Sequence, residues 1–175
     1  MKRALLWLPL IVFVGLLAVV ASGLFRPADR TIRSAMVGQQ VARFDLPGIV
    51  PGKAGLSSTD LADGEPRLVN VFASWCAPCV AEAPVLLTMK QAGVRIVGVA
   101  VRDTGLELQR FLDRNGDAYE RIGDDRDSRV QLSLGSAGVP ESFVIDGRGR
   151  VVLQHVGEIK PADVAGIVAA IRSAQ

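Results

Sequence analysis

Trp75-Cys76-Ala77-Pro78-Cys79 is the stretch on which the reading of this chain turns. It holds both cysteines of the protein, two residues apart. The apolar run Leu68-Val69-Asn70-Val71-Phe72 leads into it, and Val80-Ala81-Glu82-Ala83-Pro84-Val85-Leu86-Leu87 leaves it with helical character. A cysteine pair of this spacing at a strand-to-helix junction marks a thiol–disulfide exchange site. The thiolate is the nucleophile, and a free cysteine has little of it at neutral pH. At a helix N-terminus, unpaired N–H groups and the macrodipole stabilise the negative sulfur. The placement therefore assigns Cys76 as the exposed attacking sulfur and Cys79, one turn into the helix, as the shielded resolving sulfur. Cys76 attacks a partner's disulfide, and Cys79 then attacks Cys76 to release the reduced partner. Pro78 has no N–H to donate, which matters little in a first helical turn.

Two other uses of a cysteine pair fit less well. A structural disulfide closing so small a loop removes little entropy from the unfolded chain. Zinc normally takes four ligands, and the chain offers two cysteines and one histidine, His155. No histidine follows Cys79, so the motif is not a c-type haem attachment site. The redox reading needs neither metal nor cofactor.

At 175 residues the chain has room for one domain and an appendage. Its 49% hydrophobic content is ample for a core, although part of it lies in the N-terminal run. A net charge of +2 without a Lys/Arg cluster gives no nucleic-acid surface. With both cysteines in the motif, there is no separate disulfide framework to fix the compartment.

Met1-Lys2-Arg3 is basic, and Ala4 to Leu24 carries no charge. At the helical rise this length spans the hydrocarbon core of a bilayer. Val20-Ala21-Ser22-Gly23 has the small residues of a cleavage site, but a signal peptide's apolar core is usually only about 7–15 residues. The expectation is an uncleaved membrane anchor over residues 1–25, a polar linker over 26–39 and a globular domain over 40–175. Lys2 and Arg3 on one side against Arg26, Arg30 and Arg33 on the other do not fix the orientation. The export-like N-terminus places the domain outside the cytoplasm.

Within the domain, Phe44 and Leu46 alternate like a short edge strand closed by Pro47. Ser57 to Ala62 offers cap-type residues before a brief helical turn. Val94 to Val101 reads as a buried strand and Leu106 to Leu112 as an amphipathic helix ending at Asn115-Gly116. Asp124 to Asp127 reads as a charged loop entering a short helix at about Ser128 to Leu134. Glu141 to Ile145 and Val151 to His155 read as strands joined through the turn Asp146-Gly147-Arg148-Gly149. Pro161 opens a last helix to about Arg172. Strand, thiol helix, strand, helices, hairpin and helix give an α/β domain whose mixed central sheet is flanked by helices, which is the thioredoxin-like pattern.

Two stretches carry a closer resemblance: Val69-Asn70-Val71-Phe72-Ala73-Ser74-Trp75-Cys76-Ala77-Pro78-Cys79-Val80-Ala81-Glu82, and Gly135-Ser136-Ala137-Gly138-Val139-Pro140-Glu141-Ser142-Phe143-Val144-Ile145-Asp146. With them the chain resembles the membrane-anchored DsbE/CcmG-type thiol:disulfide interchange proteins of bacterial cytochrome c maturation. The first stretch is common to thioredoxin-like proteins; the second points to this branch.

The resemblance implies a cis peptide bond before Pro140, with that proline facing the thiols and leaving a backbone edge for a substrate strand. It implies that Trp75, Pro78, Val139 and Glu141 frame the substrate. Glu82 and Glu141, which alone read as solvated surface carboxylates, are expected near the sulfurs. There a carboxylate can take the proton of Cys79 while opposing thiolate formation. Many thioredoxins carry an acid at the position matching Asn70, so the proton role is expected to pass to Glu82. The implied substrate is the oxidised C-x-x-C-H pair of an apocytochrome c. The implied partners are a membrane electron donor of the DsbD/CcdA type and the haem-ligation machinery, with the domain on the periplasmic side of the inner membrane.

Val80, Ser142 and Ala100-Val101-Arg102-Asp103 depart from the family's usual form and touch its partner surface. A general exported thioredoxin or an oxidase shares the motif and differs in reduction potential. Copper-delivery assembly factors share the anchored fold but space their cysteines by three residues. A peroxidase relies on a lone peroxidatic thiol. His155, on a predicted strand, reads as structural or surface-exposed.

Overall fold

A computed structural model of the chain describes Trp7, residues 12–17 and residues 36–174. Residues 12–17 are helical, and apart from these and Trp7 the expected anchor, with most of the linker, lies outside the described residues. Among the described residues, no helix is long and apolar enough to cross a membrane. The unit from Ser34 to Gln175 holds the domain.

Its elements in chain order are β1 (Asp45–Leu46), β2 (Leu56–Ser57), β3 (Arg67–Phe72), α1 (Ala77–Gln91), β4 (Ile96–Val101), α2 (Gly105–Asn115), β5 (Ile122–Asp125), α3 (Arg129–Ser133), β6 (Glu141–Ile145), β7 (Val151–Val156) and α4 (Val164–Ser173). Five strands form one sheet in the order β5-β4-β3-β6-β7. β3, β4 and β5 run parallel, while β6 and β7 are antiparallel to their neighbours. This is the mixed sheet of a thioredoxin-like fold.

β3 and β4 are buried along their whole length, so their sequences are nearly continuous apolar runs. Their side chains alternate between two cores. Leu68, Phe72, Ile96 and Ala100 meet the apolar faces of α1, α2 and α4. Val69, Val71, Val97 and Val99 face the other way, onto Val130, Leu134, Val41, Leu56 and Leu61. The centre of β3 thus feeds into α1 with helices on one side and an irregular cover on the other.

The predicted elements from β4 to the β6–β7 hairpin are present, with Gly116 closing α2 at φ 83°. Four details differ. Asp45–Leu46 pairs with Leu56–Ser57 in a separate two-stranded ribbon and is not an edge of the main sheet. The segment expected to be a helical turn starts with the second of these strands, and the Asp60 carboxylate takes the N–H of Ser57 at 2.8 Å. Asp124 and Asp125, expected in a charged loop over Asp124 to Asp127, belong to an edge strand, Ile122–Asp125, paired with β4. Pro47 and Ala54 accept its outer N–H groups at 2.9 and 3.1 Å, and Asp125 caps α3 through the N–H groups of Val130 and Gln131. The last helix starts at Val164, because residues 161–163 form a turn.

Candidate active site

Cys76 is the N-cap of α1, with extended backbone at φ −88° and ψ 109°. Its Sγ accepts the N–H of Cys79 at 3.2 Å, one of the donors that a helix start leaves unpaired. Pro78 sits in the first turn, where its missing N–H has no carbonyl to pair with. The two sulfurs are joined at 2.12 Å. The sequence predicts an exposed Cys76 and a shielded Cys79, yet in this disulfide form both are buried, at 4% and 2% exposure. Both belong to the core that also contains Ala73. Trp75 stands beside them, largely exposed.

Behind the disulfide lies a buried polar network. Glu82 is one turn beyond Cys79 on α1, so both lie on the same helix face, turned toward the sheet. Glu82 Oε1 accepts the amide of Asn70 at 2.9 Å, and Oε2 accepts the backbone N–H of Ile159 at 2.9 Å. The same Asn70 amide donates to Ser142 Oγ at 3.0 Å, and its Oδ1 accepts the Tyr119 hydroxyl at 2.8 Å. Gly98, opposite Asn70 in register, makes room for this. A Cβ there would meet the Phe72 ring at 2.7 Å and the Tyr119 ring at 3.1 Å. Without one, the two rings stack at 4.5 Å and the hydroxyl reaches Asn70.

Glu82 is 1% exposed, so it is not the solvated carboxylate that its residue type alone suggests. Burial pushes its pKa above the ordinary 4.5, against the lowering effect of the Ile159 N–H and the Asn70 amide. Burial also raises the Tyr119 phenol well above its ordinary value and so keeps it a donor.

The other flank of the motif is held by Asp103. Its carboxylate takes the N–H and the hydroxyl of Ser74 at 2.6 and 2.8 Å, and the N–H of Thr104 at 2.8 Å. The Trp75 indole donates to the Arg102 carbonyl at 3.2 Å. The segment that departs from the family pattern is therefore the support of Ser74-Trp75. Asp103 lies between Arg102 and Thr104 just beyond β4, and no pattern in the sequence singles it out.

The Val139–Pro140 bond is cis and Pro140 is buried. Val139, half-buried, packs against the core that includes both cysteines. The structure separates the two acidic candidates. Ser142 faces Asn70, so Glu141, its neighbour on β6, projects to the opposite face of the sheet. Glu141 is 3% exposed; its Oε1 accepts the Gln154 amide at 2.9 Å and its Oε2 has no partner among the described residues. Asn70, Tyr119, Ser142 and Asp103 were not among the expected site residues. In sequence Asn70 is the loss of an acid; in the structure it is the link that carries Glu82. His155 lies on β7 with Nε2 3.1 Å from the Glu158 carbonyl.

Residues 36–171 match the family model described as Redoxin. The chain is 36% identical to the thiol:disulfide interchange protein HelX of Rhodobacter capsulatus over 159 residues, 91% of this chain and 90% of that protein. It is 33% identical to the thiol:disulfide interchange protein DsbE of Escherichia coli, over 92% of this chain and 89% of that one. Among solved structures, it is similar to a thiol:disulfide interchange protein of the thioredoxin family from Chlorobium tepidum. The TM-score is 0.61 with 29% identity, covering 77% of this chain and 94% of that one.

Proposed function

The chain belongs to the redoxin family, in its DsbE/HelX branch of thiol:disulfide interchange proteins, and is a thiol:disulfide oxidoreductase; from that premise we propose that it reduces the disulfide of an apocytochrome c C-x-x-C-H segment before haem attachment. The observation that carries the reading is the N-cap geometry of Cys76. Once the disulfide is reduced, the Cys79 N–H and the start of α1 stabilise a thiolate at Cys76 rather than at Cys79.

In the proposed sequence, the Cys76 thiolate attacks one sulfur of the client disulfide, forming a mixed disulfide, and the client's other sulfur leaves as a thiolate. Glu82 takes the proton of Cys79, directly or through water, and the Cys79 thiolate attacks Cys76. The client gains two electrons and two protons, and the protein ends as the Cys76–Cys79 disulfide. Trp75, Pro78 and Val139 frame the client around the cis Pro140, whereas Glu141, expected with them, is buried against Gln154 and takes no part. Residues 1–25 anchor the protein in the inner membrane with residues 40–175 on the periplasmic side, and 26–39 form the linker. A DsbD/CcdA-type membrane donor re-reduces the disulfide, and tethering keeps the domain close to it and to the haem-ligation machinery.

The test is to titrate the full chain in thiol/disulfide buffers and to assay the reduced protein on an oxidised C-x-x-C-H peptide. A potential of about −200 to −270 mV with peptide reduction is expected of a reductase. A potential near about −120 mV would identify an oxidant and remove the reductase reading.

A further inference from the structure

Beside the disulfide, between Trp75 and Val139 and α3, lies a groove of about 390 Å³. Trp75, Val101, Leu132 and Val139 line it with apolar surface, and Trp75 and Leu132 are largely exposed. Among its described lining residues a single one is charged, Arg102.

Arg102 is held in an uncommon way. Its φ is 48°, in the left-handed region that side chains seldom adopt. Its carbonyl receives the Trp75 indole N–H, and its Nε donates to Ser128 Oγ at 2.9 Å. Ser128, also left-handed at φ 58°, is 1% exposed. Such backbone persists only where its surroundings over-determine it, and it clusters at ligand-binding positions. The Arg102 side chain is exposed, and among the described residues no carboxylate forms an ion pair with it. The adjacent Asp103 is engaged by Ser74 and Thr104. With Nε committed to Ser128, the two terminal nitrogens remain for a partner, and they fit the two oxygens of one carboxylate.

We propose that Arg102 is a specificity-determining residue of this groove, selecting client polypeptides that carry a carboxylate side chain close in sequence to the cysteine attacked by Cys76. The inference rests on the exchange reading above and deepens it. Trp75 couples the two functions, being next to Cys76 in sequence and hydrogen-bonded to the Arg102 carbonyl. A client lying along the apolar lining presents its disulfide to Cys76 and its carboxylate to Arg102.

The experiment uses the reduced full chain and two oxidised C-x-x-C-H peptides that differ only in a Glu or a Lys beside the first cysteine. The readout is the ratio of their kcat/KM values. The wild-type chain should favour the Glu peptide by about threefold at low ionic strength, with the preference shrinking as salt rises. Arg102→Asn should bring the ratio to one and Arg102→Asp should invert it; both residues tolerate left-handed backbone. The wild-type ratio and its salt dependence test the proposal even if neither variant folds. Equal reduction of both peptides by the wild-type chain, or a ratio unchanged in Arg102→Asp, overturns the role of Arg102 and leaves the exchange function standing. Reduction of neither peptide overturns both.

Discussion

The buried Asn70 amide and the Glu82 carboxylate are joined by a hydrogen bond of 2.9 Å that links the central strand to the active-site helix. Its direction is set from the far side. Because the Tyr119 hydroxyl donates to Asn70 Oδ1, the amide N–H groups must point to Glu82 and Ser142. With the Ile159 N–H on Oε2, both carboxylate oxygens accept hydrogen bonds, which favours the charged form. Burial opposes it and is the larger effect. Glu82 is thereby a carboxyl that can hold a proton at higher pH than a surface acid, one helical turn from Cys79.

If Glu82 takes the Cys79 proton, Glu82→Gln should slow release of the client by roughly a hundredfold, with formation of the mixed disulfide less affected. The wild-type release rate should rise with pH through an inflection above 4.5, and that inflection should be missing in the variant. Quenched-flow alkylation across a pH series measures both. An unchanged pH profile in Glu82→Gln would leave Glu82 a structural tie between α1 and Ile159.

Tyr119→Phe keeps the ring stacked on Phe72 and removes only the hydroxyl. Asn70 is then free to turn its carbonyl oxygen toward Glu82, an arrangement that favours the protonated acid. The Glu82 titration, followed by carboxyl NMR, should move further up, and stability should fall by about 1 kcal/mol. A titration that stays in place would show that Ser142 alone orients the amide.

The exchange site and the sheet around it were legible because they rest on local pattern. Cys76 and Cys79 sit at a junction that periodicity alone locates, and β3, β4, β6 and β7 are runs whose two-sided or alternating burial is written in their composition. What was not legible depends on partners distant in sequence. Ile122-Gly123-Asp124-Asp125 has no strand pattern; β4 on one side and residues 47–54 on the other make it a strand. Asn70 and Tyr119 are 49 residues apart and meet only because Gly98 lacks a side chain. Glu82 and Glu141 look alike in sequence, and the alternation of β6 places them on opposite faces of the sheet.

Cys79→Ser should leave Cys76 able to attack and unable to be released, so the client accumulates as a stable mixed disulfide. Cys76→Ser should form none, since Cys79 lies inside the helix and lacks the N-cap position at which Cys76 accepts a helix N–H. Non-reducing mass spectrometry after mixing with an oxidised C-x-x-C-H peptide distinguishes the two. Adducts of equal yield in both variants would reverse the assignment of attacking and resolving sulfurs.

Asp103, 4% exposed, satisfies two donors of Ser74 and one of Thr104. Asp103→Asn replaces one accepting oxygen with an amide that must face a donor, and an unmet buried donor costs about 1–3 kcal/mol. Urea unfolding should show a loss of that size. Because Trp75 follows Ser74 directly, its fluorescence should report greater solvent exposure in the folded variant. No change in either would mean that the Arg102 carbonyl and Ser128 hold the segment without Asp103.

The pH dependence of stability has contributions of opposite sign. Glu82 has a folded pKa above its ordinary 4.5, so over the window from there upward the folded state binds more protons than the unfolded one. Its contribution is fully present below that window and is lost as pH rises through the folded value. Asp63 goes the other way, since the Arg67 guanidinium beside it holds its carboxyl at about 2. It stabilises above its ordinary 3.8 and loses that effect as pH falls toward 2, an effect that its exposure to solvent keeps small. Denaturation midpoints between pH 4 and pH 8 should therefore decline more steeply with rising pH in the wild-type chain than in Glu82→Gln, which has no proton to lose. Asp63→Asn should flatten the acid limb below pH 4 and leave the upper limb alone. Identical slopes for the wild-type chain and Glu82→Gln above pH 4.5 would mean that Glu82 is ionised in both folded and unfolded chains throughout, and with that its role as the proton acceptor for Cys79 would lose its physical basis.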